Sequence, residues 1–187
     1  MFWKSLSQLK GERSDPRATS PQTPGIEATA LFEDILNTGS DLRVKVTGSS
    51  MSPFLEGGDV VTIRKGPPSA FQRGDLIFFK DNQGSPKLHR IIQKRHAVDG
   101  TMAFRTKGDN LIAFDRPVPD HNILGKVWRI EKNDSADQSK CVNLESRKYR
   151  LLNYFLALMS VTKSMSLCAL ARLKKVSLPK GMSPLRS

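Results

Sequence analysis

The sequence predicts a mainly β protein with an antiparallel, partly closed arrangement of short strands, a short helix before them and an amphipathic helix after them. Three observations carry this. LRVKVTG, from Leu42, alternates apolar and polar residues as a half-buried strand does. Gly58–Lys65 (GDVVTIRK) and Gly74–Lys80 (GDLIFFK) each open on Gly-Asp, continue with β-branched or aromatic residues and close on Lys. LHRIIQKR, MAFRTKGD and ILGKVWRIEK read as three more strands, set apart by Gly/Asp/Asn/Pro clusters.

The flanking segments follow in order. Phe2, Trp3, Leu6 and Leu9 share one helical face, which reads as a frayed terminus or a weak interfacial anchor. Residues 14–25 (SDPRATSPQTPG) hold three prolines without apolar periodicity and read as a linker. ATALFEDILNTG reads as a short helix, with Leu31, Ile35 and Leu36 at helical spacing and Gly39 as its stop. After Lys132, NDSADQSK is a polar linker. Leu151–Ala171 is apolar at 15 of 21 positions and helical, with Asn153, Ser160, Lys163 and Ser164 forming a narrow polar stripe. The expected organisation is an extension over residues 1–40, a β domain over 41–132 and a linker with a basic helix and tail over 133–187.

Charge is concentrated at the C-terminal end. The chain of 187 residues has a formal net charge of +12, and Ser146–Ser187 holds nine Lys/Arg and no Asp/Glu. Such a segment suits an acidic surface, lipid or nucleic acid, or simply a solvated tail. Basic residues stand on both sides of the apolar helix: Arg147, Lys148 and Arg150 before it, Arg172, Lys174 and Lys175 after it. Three placements compete for the helix. A spanning helix would hold Lys163 near its centre, at about 2.5–3.5 kcal/mol. An interfacial helix would keep its polar stripe and basic flanks at the headgroups of an anionic membrane, the favoured placement. A packing helix would cover the β domain. The N-terminal residues do not read as a signal peptide, and no run of 18 or more apolar residues occurs in the sequence. Cys141 and Cys168 lack disulfide or metal spacing, which fits a reducing compartment. No metal or cofactor is expected.

The candidate chemistry begins in VTGSSMSPFLEGGD, Val46–Asp59. Ser49, Ser50 and Ser52 sit here in a Gly-containing junction after a strand. A serine becomes a nucleophile only when a base takes its proton, and an oxyanion needs backbone N–H donors nearby. Of three histidines, His89 stands at the start of an apolar strand, whereas His96 and His121 lie in polar stretches. TKGDNLIAFDRP supplies two carboxylates, Asp109 and Asp115, either of which could orient an imidazole. Gly-Asp-Asn is also an ordinary turn signal.

The ordered set GSSMSP, EGGDVV, RGDLIFF, LHRII, RTKGDN and ILGKV resembles the signal peptidase I superfamily, most closely its archaeal, endoplasmic-reticulum and sporulating Gram-positive branch. The resemblance spans about Val44 to Ile130, and it implies a fold of coiled antiparallel sheets. It sets the family's Ser-Met-x-Pro motif on Ser50-Met51-Ser52-Pro53, making Ser50 the nucleophile. It sets the branch's His-Arg on His89-Arg90, making His89 the general base. The acidic residue six positions after the Asp of Gly-Asp-Asn falls on Asp115, the orienting acid, with Asp109 a supporting carboxylate. Gly48 stands where signal peptidases often have a helping Ser, and VTGSSM is similar in register to LexA-type self-cleaving repressors. The oxyanion would then rest on the Ser50 N–H, helped by a hydroxyl from Thr47 or Ser49.

The implied function is a serine endopeptidase acting on an extended protein or peptide precursor with small side chains near the cut. The absence of a spanning helix before Ser50 leads to the expectation of a cytoplasmic protein, peripheral on the inner membrane face. Two other functions compete: a LexA-like self-cleaving regulator and a degenerate peptide-binding or membrane-associated member. The roughly forty residues before Leu42 are too few for a helix-turn-helix domain, so nucleic acid is not the expected partner.

Overall fold

In a computed structural model, the described residues are 24–96, 101–133 and 140–176, with side chains described for 27–96, 101–133 and 140–162. The expected helical face at Phe2–Leu9, most of the proline-rich linker, and the side chains of Lys163, Ser164, Cys168, Arg172, Lys174 and Lys175 lie outside them.

Among the described residues, eight strands form one antiparallel sheet: β1 Leu42–Lys45, β2 Val60–Arg64, β3 Leu76–Lys80, β4 Pro86–His96, β5 Met102–Lys107, β6 Val118–Pro119, β7 Ile123–Glu131 and β8 Cys141–Asn143. The order is β1-β2-β7-β3-β4-β5-β6, with β8 on the end of β7, and the sheet curls into a half barrel. Register shifts in the β2/β7, β3/β7 and β4/β5 pairs fall at Trp128, Leu124 and Ile92. An extra residue on one strand of a pair sharpens local coiling, so these bulges curl the sheet. Gly125 permits a close approach across it, since a Cβ there would stand 2.7 Å from the Arg64 carbonyl oxygen.

The six strands read from alternation and apolar runs are all present. β6 and β8 were not foreseen: β6 is two residues long and contains Pro119, and β8 follows the polar stretch after Lys132. β3 is buried on both faces. Leu76 and Phe78 join the larger core with Val61, Ile63, Val127 and Ile130; Ile77 and Phe79 join a second core with Ile91, Phe104 and Val118. The two Gly-Asp openings are the same turn built twice. Gly58 and Gly74 have φ of 103° and 96°, and the carboxylates of Asp59 and Asp75 accept from the N–H of Glu56 and Gln72.

Among the described residues, two α-helices flank the sheet. In α1, Pro24–Asn37, Thr29 and Leu36 are buried, and Phe32 and Ile35 pack on the larger core. Leu31, expected on the inner face, is exposed because the inward row runs Thr29, Phe32, Leu36. α2 spans Arg147–Val176, and none of the helices is long and apolar enough, among the described residues, to cross a membrane. The two members of its polar stripe with described side chains, Asn153 and Ser160, do not face outward as the interfacial placement expected. Asn153 and Ser160 are buried, because two cations on the sheet face them: Arg90 Nη1 donates to Asn153 Oδ1 at 2.8 Å and Lys107 Nζ to Ser160 Oγ at 2.6 Å. A buried cation without hydrogen-bond acceptors is far more costly than an exposed leucine, so Asn153 and Ser160 turn inward.

Gly74 lets α2 come close. A Cβ there would stand 2.8 Å from the backbone of Asn153 and Tyr154, at a φ that L residues rarely adopt. Gly74→Ala is expected to lower stability by about 1–3 kcal/mol and to raise amide exchange along α2 above that of β2 and β7. Thermal unfolding and hydrogen-exchange mass spectrometry measure both.

Candidate active site

Strand alternation sorts the functional side chains. Successive strand residues point to opposite faces. In the β4/β5 register Ile91 pairs with Thr106, and Arg90 with Lys107. His89, Ile91 and Thr106 therefore share one face, while Arg90 and Lys107 take the other, toward α2.

On the first face, His89 Nδ1 lies 2.6 Å from Asp115 Oδ2, and His89 Nε2 lies 3.2 Å from Ser50 Oγ. An ionised carboxylate can only accept, so the tautomer that satisfies both contacts is the one with the proton on Nδ1, which leaves Nε2 to accept from the Ser50 hydroxyl. His89 is buried, and its ring meets Phe79 edge-on with centroids 6.1 Å apart. Asp115 is held in turn: its Oδ2 accepts from Thr106 Oγ1 at 2.8 Å, and its N–H donates to the Thr106 carbonyl at 3.0 Å. Thr106 escaped the sequence reading. Its only signal was its place just before Lys-Gly-Asp.

On the second face, Arg90 Nε and Nη2 donate to the two oxygens of Asp109 at 2.8 and 2.6 Å. Nη1 donates to the Gly74 carbonyl as well as to Asn153, and the guanidinium lies over the Phe54 ring, 4.7 Å from its centroid. Asp109 is thus committed to Arg90, and Asp115 alone meets the imidazole. Asn153 and Ser160 were noticed in the sequence as polar interruptions of an apolar helix; their partners were not legible there.

The loop carrying Ser50 is anchored at three points. Ser50 O accepts from Asn110 N at 2.9 Å and Ser49 O from Ser52 N at 3.1 Å, with Asn110 Nδ2 also reaching Ser49 O. Met51 is buried in the larger core. Among the described residues nothing accepts from the Ser50 N–H. Thr47 and Gly48 line a cleft of about 630 Å³ together with Ser50, His89, Leu88 and Phe78, whereas Ser49 is exposed and outside its lining. A Cβ at Gly48 would meet nothing within 4 Å.

Asp59 ties the far end of the loop. Burial pushes its carboxyl up, but donors from Glu56 N–H, the Lys132 ammonium and Asn133 N–H outweigh this and hold it below the usual 3.8. A depressed folded pKa gives stability that is present above about 3.8 and lost as pH falls through the folded value. Asp59→Asn is expected to cost about 1–3 kcal/mol at pH 7, and the difference from wild type should close as urea unfolding is repeated toward pH 3.

Asp109→Ala strands a buried guanidinium. It is expected to cost about 3–5 kcal/mol in urea unfolding, whereas Asp115→Asn, which keeps the shape beside His89, should cost less than half as much.

No family model matches the chain. It is similar to the signal peptidase complex catalytic subunit SEC11C of Homo sapiens and of Canis lupus familiaris, 30% identical over 108 residues in each case, covering 57% of this chain and 54% of theirs. It is also similar to signal peptidase I W of Bacillus subtilis, 32% identical over 80 residues and 42% of each chain. The chain thus spans about half the length of the curated relatives it matches. These similarities support a place in the signal peptidase I superfamily.

Proposed function

We propose that this protein is a serine endopeptidase that cleaves a protein or peptide precursor, with Ser50 as nucleophile, His89 as general base and Asp115 as the acid that orients it. The observation that carries the reading is the continuous Ser50–His89–Asp115 chain of contacts at 3.2 and 2.6 Å. The relatives' names support the class of reaction.

The chemistry follows from that geometry. His89 Nε2 takes the Ser50 proton as Oγ bonds to the scissile carbonyl carbon. The carbonyl π pair moves to oxygen, and the Asp115 carboxylate stabilises the imidazolium. Collapse of the tetrahedral centre breaks the C–N bond, and the imidazolium proton passes to the leaving amine. Water then attacks the acyl ester while His89 takes a proton from it. The carboxyl product leaves and Ser50 regains its hydrogen. The Ser50 N–H, without another acceptor among the described residues, suits the oxyanion, with the Thr47 hydroxyl the better-placed helper. Ser49, outside the cleft lining, is not assigned that part. Asp109 supports the frame through Arg90.

An extended substrate chain fits this site. β1 ends the strand order, so one of its edges has no strand partner among the described residues. The chain continues from β1 through Val46 and Thr47 into the cleft beside Ser50. A peptide added to that edge would gain main-chain hydrogen bonds with little demand on its side chains.

The test is cleavage of a diverse synthetic peptide mixture by the full chain, with new termini identified by mass spectrometry. Wild type should generate termini after small residues. Ser50→Ala and His89→Ala should generate none, and Asp115→Asn should be slower by about 10²–10⁴-fold. Equal cleavage by Ser50→Ala would contradict the assignment.

A further inference from the structure

The two sides of α2 meet different surroundings. At about 100° per residue, Asn153, Ala157 and Ser160 lie on one side, and all three are buried against the sheet. Leu151, Phe155 and Leu158 lie on the opposite side, flanked by Leu152, Tyr154 and Met159. These six large apolar side chains are between 37% and 73% exposed. They form one continuous strip, and an exposed apolar strip of that kind marks a surface that another phase or molecule covers.

The charge around the strip selects what covers it. Arg147 and Lys148, in the first turn of α2, are exposed. No Asp or Glu occurs anywhere from Ser146 to Ser187, while nine Lys/Arg do. A helix that offers large apolar residues outward, carries only positive charge and turns Asn153 and Ser160 inward is complementary to an anionic bilayer: acyl chains for the strip, phosphates for the basic residues. Tyr154 adds an apolar ring with a polar tip, suited to the boundary between them.

We propose that the outer face of α2 docks on an anionic lipid bilayer surface, with Leu151, Phe155 and Leu158 among the acyl chains and Arg147 and Lys148 on the headgroup phosphates. The orientation is the reverse of the one expected from sequence: the Asn153–Ser160 stripe grips the protein, and the apolar side meets lipid. Asn153 is bonded to Arg90, the chain neighbour of His89, so the docked helix sets the height and tilt of the Ser50 cleft over the membrane. Docking does not depend on Ser50 reacting, and a binding measurement separates it from the peptidase assignment.

The test is flotation of the purified full chain with vesicles of phosphatidylcholine plus phosphatidylglycerol, and with phosphatidylcholine alone. Wild type should float with the anionic vesicles and bind the neutral ones about tenfold or more weakly. The double substitution Leu151→Gln and Phe155→Gln changes no charge and no buried residue. It should reduce partition into anionic vesicles by about tenfold or more, with the melting temperature unchanged. Three results would overturn the proposal: no flotation with either vesicle, flotation unaffected by the double substitution, which would assign binding to the basic residues alone, or self-association in solution abolished by the double substitution without vesicle binding, which would assign the strip to a second copy of the chain.

Discussion

A guanidinium with no exposure to solvent must be met on every side by acceptors, and Arg90 is such a group. Its pairing organises the molecule around the candidate site. Asp109 takes one fork, so the Gly108–Asn110 turn is pinned against β4. Gly74 O and Asn153 Oδ1 take the rest, so the turn before β3 and the helix α2 are drawn to the same point. Asn110, fixed by this turn, donates to Ser50 O and so sets the nucleophile loop. Breaking such a pair leaves a buried charge, so the frame is stiff by necessity.

The same constraint separates two carboxylates that the sequence presents as near equivalents. Asp109 and Asp115 stand six positions apart, and both are close to the His-Arg pair. Alternation along β4 sends Arg90 to one face and His89 to the other. Each carboxylate then finds a different cation or imidazole, and Thr106 on the His89 face fixes Asp115. The division of labour between charge compensation and imidazole orientation is a consequence of strand geometry.

What was legible in the sequence had a local cause. The strands with alternation or apolar runs, the Gly-Asp turns and the helix of Leu151–Ala171 each write their own pattern. Ser50, His89 and Asp115 were not legible as a group from spacing; they came from the order of motifs. β8 was invisible because three residues beside a polar stretch carry no period, and it exists only because β7 offers it an edge. Which side of α2 faces the sheet was not legible for a related reason. A polar stripe on an apolar helix looks the same whether it faces headgroups or buried cations, and Arg90 and Lys107 lie on strands far away in sequence. Leu31 was misplaced because a triplet at helical spacing does not say which neighbouring row the core selects.

The central claim is that His89 is held by Asp115 with Nδ1 protonated and Nε2 turned to Ser50. Ring-nitrogen chemical shifts of His89 in the ¹⁵N-labelled protein, at a pH where the ring is neutral, report this directly. The structure predicts a protonated Nδ1, an Nε2 shift typical of an acceptor, and a far-downfield Nδ1 proton that persists in Ser50→Ala and vanishes in Asp115→Asn. A ring protonated at Nε2, or signals indifferent to Asp115→Asn, would contradict the account.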